Sequence, residues 1–236
     1  MQKCCYPRSM KQGIIAVCVA LLLPLAACKS RPQTSSGPAP GEPAGAASPV
    51  SPPVAASGSG FDFYLLNLSW SPEFCLTHPS ANECAAHAAF VLHGLWPENA
   101  DGSYPQSCST APGPADPSQY ADIYPDPSLL QHEWQTHGTC SGLSPDAFFL
   151  AARSAFRAVA IPPTLKTLTA QTSLPPDRIV GLFTASNPVI PQSSFAVSCG
   201  NNYLTAIEVC LDKSLHPIPC TGIHSCRANT VRIPPP

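Results

Sequence analysis

Few residues of this 236-residue chain carry charge: Asp, Glu, Lys and Arg together make up 11%. Basic residues are thinnest where a polyanion would need them. Beyond Gly60 there are seven Lys and Arg against 13 acids, a formal balance of −6. A protein that grips nucleic acid nonspecifically by neutralising phosphates should be basic, so that class is excluded. The apolar run Gly13 to Ala27 has 15 residues, short of the roughly 20 that a helix needs to cross a bilayer. No Cys-x-x-Cys pair occurs after Gly60, which argues against a zinc ribbon or a thioredoxin-like redox site. There is no internal repeat.

Proline (30 residues) and cysteine (12) are abundant instead. Lys3, Arg8 and Lys11 precede the apolar run, which ends in small residues, so residues 1–28 read as a secretory signal. Leu25-Ala26-Ala27-Cys28 resembles a bacterial lipobox, with Cys28 the residue that would carry lipid; simple cleavage there is the alternative. Residues 29–60 are Pro, Ala, Ser and Gly with almost no large apolar side chain. Such a segment cannot bury enough surface to offset its ordering entropy and is expected to be a disordered tether. Residues 61–236 then form one domain, large enough for its own core. The expected location is outside the cytoplasm: periplasmic, anchored to the outer membrane, or extracellular.

Removing Cys4, Cys5, Cys18 and Cys28 leaves eight cysteines. An even number in an exported domain points to four disulfides, although eight cysteines allow 105 pairings and spacing alone selects none. All seven histidines lie in the same domain. Protonating them would move the balance from −6 to about +1, so activity on a polyanion is expected to be favoured at mildly acidic pH. A rate maximum above pH 8 would contradict this.

"FDFYLLNLSW" (61–70) reads as a strand, as does Phe90 to His93, which Gly94 and Pro97 should stop. Residues 98–127 are rich in loop-forming proline. Residues 127–138 read as a helix capped by Gly138. Residues 144–160 form the clearest helix, with Ser144 as N-cap and Pro145 at its first position. A short helix over 177–186 and two late strands complete an α+β domain whose central sheet is mostly antiparallel and flanked by helices.

"HEWQTHGTC" (132–140) is one residue away from the H-E-x-x-H signature of zinc proteases. His132 and His137 are five apart, about 140° around a regular helix, so they should not share a metal. Glu133 and His137 are four apart and share a face. A carboxylate beside an imidazole suits acid–base work, although surface ion pairs of this kind are also common. "FVLHGLWPEN" (90–99) adds His93 at a strand end. Two histidines and one acid are the minimum set for moving a phosphodiester without metal. One imidazole takes the ribose 2′-OH proton and the other protonates the leaving 5′-oxygen. Only RNA offers the 2′-OH, so DNA should be ignored.

"FVLHGLWPEN", "HEWQTHGTC", "SWSPEFC" (69–75) and "SCGNNYLTAIEVCLDKSLHPIPC" (198–220) together resemble the ribonuclease T2 family over nearly all of residues 61–226. The resemblance implies His137 as base and His93 as acid, with the roles reversed for hydrolysis of a 2′,3′-cyclic intermediate. It implies that Glu133 supports His137 and the phosphorane, that His132 contacts phosphate, and that Trp96, Glu98 and Tyr104 bind the base. It implies disulfides Cys75–Cys84, Cys108–Cys140, Cys199–Cys226 and Cys210–Cys220, no metal and no cofactor. The expected substrate is single-stranded RNA, acted on by a monomer that meets a membrane only through a lipid on Cys28. His78, His87, His216 and His224 match nothing catalytic.

One position departs from the pattern: Thr136 stands where the family usually has lysine. Losing such a donor can cost about 10²–10³ in rate by analogy with oxyanion sites. Either turnover is slower or another cation, such as Arg153 or Arg157, takes its place. The alternative from another class is an envelope RNA- or ligand-binding protein on the same fold, with weak or no catalysis.

Overall fold

The structure is a computed structural model that describes residues 60–236; the signal, Cys28 and nearly all of the proline-rich segment lie outside them. Six strands form one sheet. β1 (Phe63–Trp70) lies between β2 (Phe90–Glu98) and β5 (Tyr203–Leu211), antiparallel to both. β4 (Phe195–Gly200) covers the other side of β5. β3 (Thr172–Leu174) pairs with β6 (Val231–Ile233), which joins the sheet in parallel at Tyr203↔Arg232. The fold is α+β, with a mostly antiparallel sheet and helices packed against it.

β1 shows why the sheet is covered on both faces. Tyr64, Leu66, Leu68 and Trp70 enter the main core, while Phe63, Leu65, Asn67 and Ser69 point to the opposite face. Two helices cover the main-core face. α3 (Pro145–Arg157) is capped by Ser144, whose side chain accepts from the Ala147 N–H, and it buries Phe148, Phe149, Ala152 and Ala155 as one stripe. Each buried phenyl ring contributes roughly 1.5–3 kcal/mol. α5 (Pro176–Ser186) brings Phe183 edge-on to Phe90, 5.4 Å between centroids. On the other face, Phe63, Leu65 and Cys210 pack beneath Ile218, Cys220 and Ile223. The early alternation of β5 gives way to continuous burial from Ala206 to Leu211 because both faces are covered there.

β2 runs through Gly94 and Pro97 instead of stopping at His93. It is an edge strand, bonded only to β1, so the missing proline N–H costs no ladder bond. A short helix, α1 (Ser71–Thr77), follows β1 directly and had no clear sequence signal. α2 (Pro127–Thr136) ends two residues before Gly138, and His137 takes the cap position. Gly138 is therefore not a left-handed C-cap. A Cβ there would sit 2.4 Å from the Trp134 ring and 3.0 Å from Phe148, so close packing requires the glycine. α4 (Pro163–Lys166) is a single turn. Four disulfides tie the domain: Cys75–Cys84, Cys108–Cys140, Cys199–Cys226 and Cys210–Cys220.

Candidate active site

The second face of the sheet meets the end of α2 at a β-bulge. Register runs Leu68↔Leu92 and then Asn67↔Gly94, which leaves His93 as the extra residue of β2. A bulge re-aims its side chain. Here the His93 imidazole projects toward α2 with 41% of its side chain exposed, and its Nε2 lies 3.7 Å from Glu133 Oε1. Its Nδ1 is 2.9 Å from Ser69 Oγ on β1.

Glu133 is wholly buried. The Trp96 indole N–H donates to its Oε2 at 2.8 Å, while Oε1 has no hydrogen-bond partner and is left facing His93. Gly94 makes this seat: a Cβ there would lie 2.0 Å from Glu133 Oε2 and 2.2 Å from Trp96 Nε1. His137 stacks on the Trp96 ring at 5.1 Å and 24°, and His93 meets the same ring at 5.3 Å, edge to face. One indole thus separates two imidazoles and holds the carboxyl between them. Tyr124 is buried nearby, and the Glu133 charge helps to raise its pKa well above the ordinary value, after burial.

Burial dominates the electrostatics. It pushes Glu133 up to about 8, against the opposing Trp96 hydrogen bond. His93 is lowered to about 4 by burial and then by His132. His137 is lowered to about 3 by burial, with smaller contributions from His132 and His93. Near pH 6 the resting site is therefore close to neutral. An arriving phosphate supplies the negative charge that favours protonated imidazole.

His132 lies exposed on α2, its ring 6.3 Å from that of His137, with Nδ1 3.4 Å from Thr136 Oγ1. The helix-angle argument fails here. His137 has φ −114°, off the helical path, and the 140° separation of a regular helix does not apply. His132, Glu133 and His137 each offer a ligand atom within 4.8 Å of the others, a set that could hold a divalent ion. Neither cation considered as a replacement for the usual lysine is seen to contact Thr136: Arg153 and Arg157 both pair with Asp122. The Thr136 hydroxyl meets His132 instead.

Of the residues assigned to the base, Trp96 is bound into the Glu133 seat and Tyr104 is exposed on the loop after β2. Among the described residues, the ring neighbours of Trp96 are His93 and His137, not Tyr104. Glu98 is only 2% exposed at the end of β2, and burial followed by repulsion from Glu208 raises it to about 8. His78, His216 and His224 lie elsewhere on the surface, as does His87. Sequence reasoning missed Ser69 and the seating role of Gly94. The signal for Ser69 was its place on the same strand face as Leu65, legible only once the partner of β1 is known.

The end of α2 is also strapped from outside. Cys140 bonds Cys108, the Ser107 N–H donates to Thr136 O at 2.8 Å, and the Cys108 N–H donates to Thr139 Oγ1 at 3.1 Å.

Fold and site together define a disulfide-linked α+β domain in which two imidazoles and one carboxyl meet around an indole. The chain belongs to the ribonuclease T2 family, whose family model matches residues 61–220. It is 48% identical over 90 residues to a ribonuclease of Aeromonas hydrophila, covering 37% of this chain and 41% of that one. It is 30% identical over 179 residues to a probable ribonuclease of Haemophilus influenzae, covering 67% and 61% respectively. The chain thus spans about half the length of these curated relatives. Among solved structures, RNase NT in complex with 5′-AMP shares the fold, with a TM-score of 0.56, 21% identity, and coverage of 75% of this chain and all of that one.

Proposed function

We propose that this protein is an exported, metal-independent endoribonuclease that cleaves single-stranded RNA through a 2′,3′-cyclic phosphate. One observation carries the reading: two imidazoles flank one indole, with the buried carboxyl of Glu133 held between them by the indole N–H. His137 removes the 2′-OH proton, the 2′-oxygen attacks phosphorus, and His93 protonates the leaving 5′-oxygen. In the second half the roles reverse, with water as nucleophile. Each proton transfer contributes about 10²–10⁴ in rate. Glu133 faces His93 at 3.7 Å, so its carboxyl steadies whichever neighbour gains charge. His132, exposed beside His137, contacts a phosphate oxygen.

Trp96, Glu98 and Tyr104 form the base site in this reading, with Tyr104 free to fold over a base as RNA arrives. Membership of a ribonuclease family and the nucleotide bound to a relative of the same fold support an RNA substrate. Four disulfides fit an oxidising compartment, and a lipid on Cys28 would tether the domain to a membrane. Among the described residues, no helix is long and apolar enough to cross one.

The decisive assay is cleavage of single-stranded RNA at pH 5–6 in EDTA, scored for a 2′,3′-cyclic product. Activity that vanishes with EDTA would move the reading to the ion site of His132, Glu133 and His137. A fully active His93→Ala variant would also overturn it. RNA binding without turnover would favour the envelope-binding alternative.

A further inference from the structure

Ser69 was outside every functional assignment, yet it is the one side chain that holds His93 from behind. We propose that Ser69 is a positioning residue that fixes the His93 ring through Nδ1 and so sets which ring nitrogen is presented for reaction. This rests on the acid–base reading of the site.

The geometry comes from two strands. Ser69 is near the end of β1, on the face that also carries Asn67, and its Oγ lies 2.9 Å from His93 Nδ1. His93 is the extra residue of the bulge, with no register partner in β1. Its ring is held by three contacts instead: Ser69 at Nδ1, the Trp96 ring edge-on at 5.3 Å, and Glu133 Oε1 at 3.7 Å from Nε2. Only the Ser69 contact distinguishes one ring nitrogen from the other by a hydrogen bond, since 3.7 Å to Glu133 is beyond hydrogen-bond reach.

The partner of one ring nitrogen decides what the other can do. An imidazolium carries a proton on both nitrogens. When His93 acts as acid, Ser69 Oγ accepts from Nδ1–H while Nε2–H points to the substrate side. Ser69 thereby favours the protonated form in surroundings that oppose it. The titratable groups facing His93 are Glu133 and His132 from α2 and His137 at its end, and His132 resists its protonation. Asn67 and Trp96 bring no charge. Removing the acceptor therefore makes His93 a scarcer acid without touching substrate.

The test uses Ser69→Ala and Ser69→Thr in the full chain, with Ser71→Ala as control, because Ser71 bonds Glu83 and not His93. A hydrogen bond to a charged group supports roughly a tenfold to hundredfold effect. Ser69→Ala is expected to lower kcat by that factor, to leave KM within twofold, and to move the alkaline limb of the rate profile about one pH unit lower. Ser69→Thr, which keeps the hydroxyl, should restore both, and Ser71→Ala should alter neither. ¹⁵N-resolved NMR of His93 reads the same effect without turnover: Ser69→Ala should shift the ring titration down and change the Nδ1–H population.

An unchanged ring titration and rate profile in Ser69→Ala would overturn the proposal. So would a loss equal in Ala and Thr, which would indicate packing. If the protein cleaves no RNA at all, the functional reading fails, while the NMR titration still decides the role of Ser69.

Discussion

Gly94→Ala tests the geometry of the site more sharply than deletion of any catalytic group. Gly94 is not one of the positive-φ glycines, so alanine fits its backbone and only contact opposes it. The added Cβ would arrive 2.0 Å from Glu133 Oε2 and 2.2 Å from Trp96 Nε1, the two atoms joined by the 2.8 Å hydrogen bond. Both must move by more than 1 Å, and the bond breaks. Overpacking costs about 1–3 kcal/mol, and an orphaned buried donor adds about 1–3 kcal/mol. In a domain of this size that lowers Tm by roughly 5–15 °C. The carboxyl leaves its seat between the imidazoles, so kcat should fall about 10²-fold or more at temperatures where the variant is folded. Calorimetry and a dinucleotide cleavage assay measure the two effects separately. A Gly94→Ala enzyme with kcat within threefold of the parent and an unshifted Tm would refute the seating argument.

Glu133→Gln should abolish turnover but raise stability in a pH-dependent way. The folded carboxyl titrates near 8 and the unfolded one near 4.3, so the folded state holds the extra proton between those values and the parent loses stability as pH rises through them. Chemical denaturation should show Gln ahead at pH 8 and level with Glu near pH 4. The histidines act at the other end. His93 and His137, lowered to about 4 and about 3, withdraw stability as pH falls below about 6.5, and His137→Asn should flatten that acid limb. Trp96→Phe removes the donor to Glu133 and should cut kcat about tenfold or more, with the Glu133 titration moving further up; an unmoved titration would count against the bond. Thr136→Lys puts a cation beside His132, and turnover should rise about tenfold or more; no gain would mean that the family lysine's task is met otherwise.

Much of the fold was readable because burial imposes period. Ser144, Pro145 and the Phe148–Ala155 stripe announced α3, and the alternation of β1 marked a strand. Both histidine motifs stood out as local clusters of rare residues. What stayed hidden depends on neighbours far along the chain. His93 faces α2 because β2 is one residue longer than its β1 partner segment, and no local pattern encodes a bulge against a strand more than 20 residues earlier. Gly94 looked like a stop because its reason for being glycine is a carboxyl 39 residues later. His137 and His132 were placed apart by assuming ideal helix dihedrals throughout; His137, at the cap, has φ −114°, and its ring lies 6.3 Å from that of His132.

The strap from Cys108 to Cys140 carries a consequence for the cell that makes this protein. Cys140 lies three residues past His137, and the bonded loop holds the backbone of Thr136 and the side chain of Thr139. With the thiols reduced, the end of α2 loses this covalent brace, and the spacing of His93 and His137 rests on non-covalent contacts alone. If the protein is the exported ribonuclease proposed above, a newly made chain is poorly armed while still surrounded by the transcripts of its own cell. On that reading, oxidation after export completes the site only where those transcripts are out of reach.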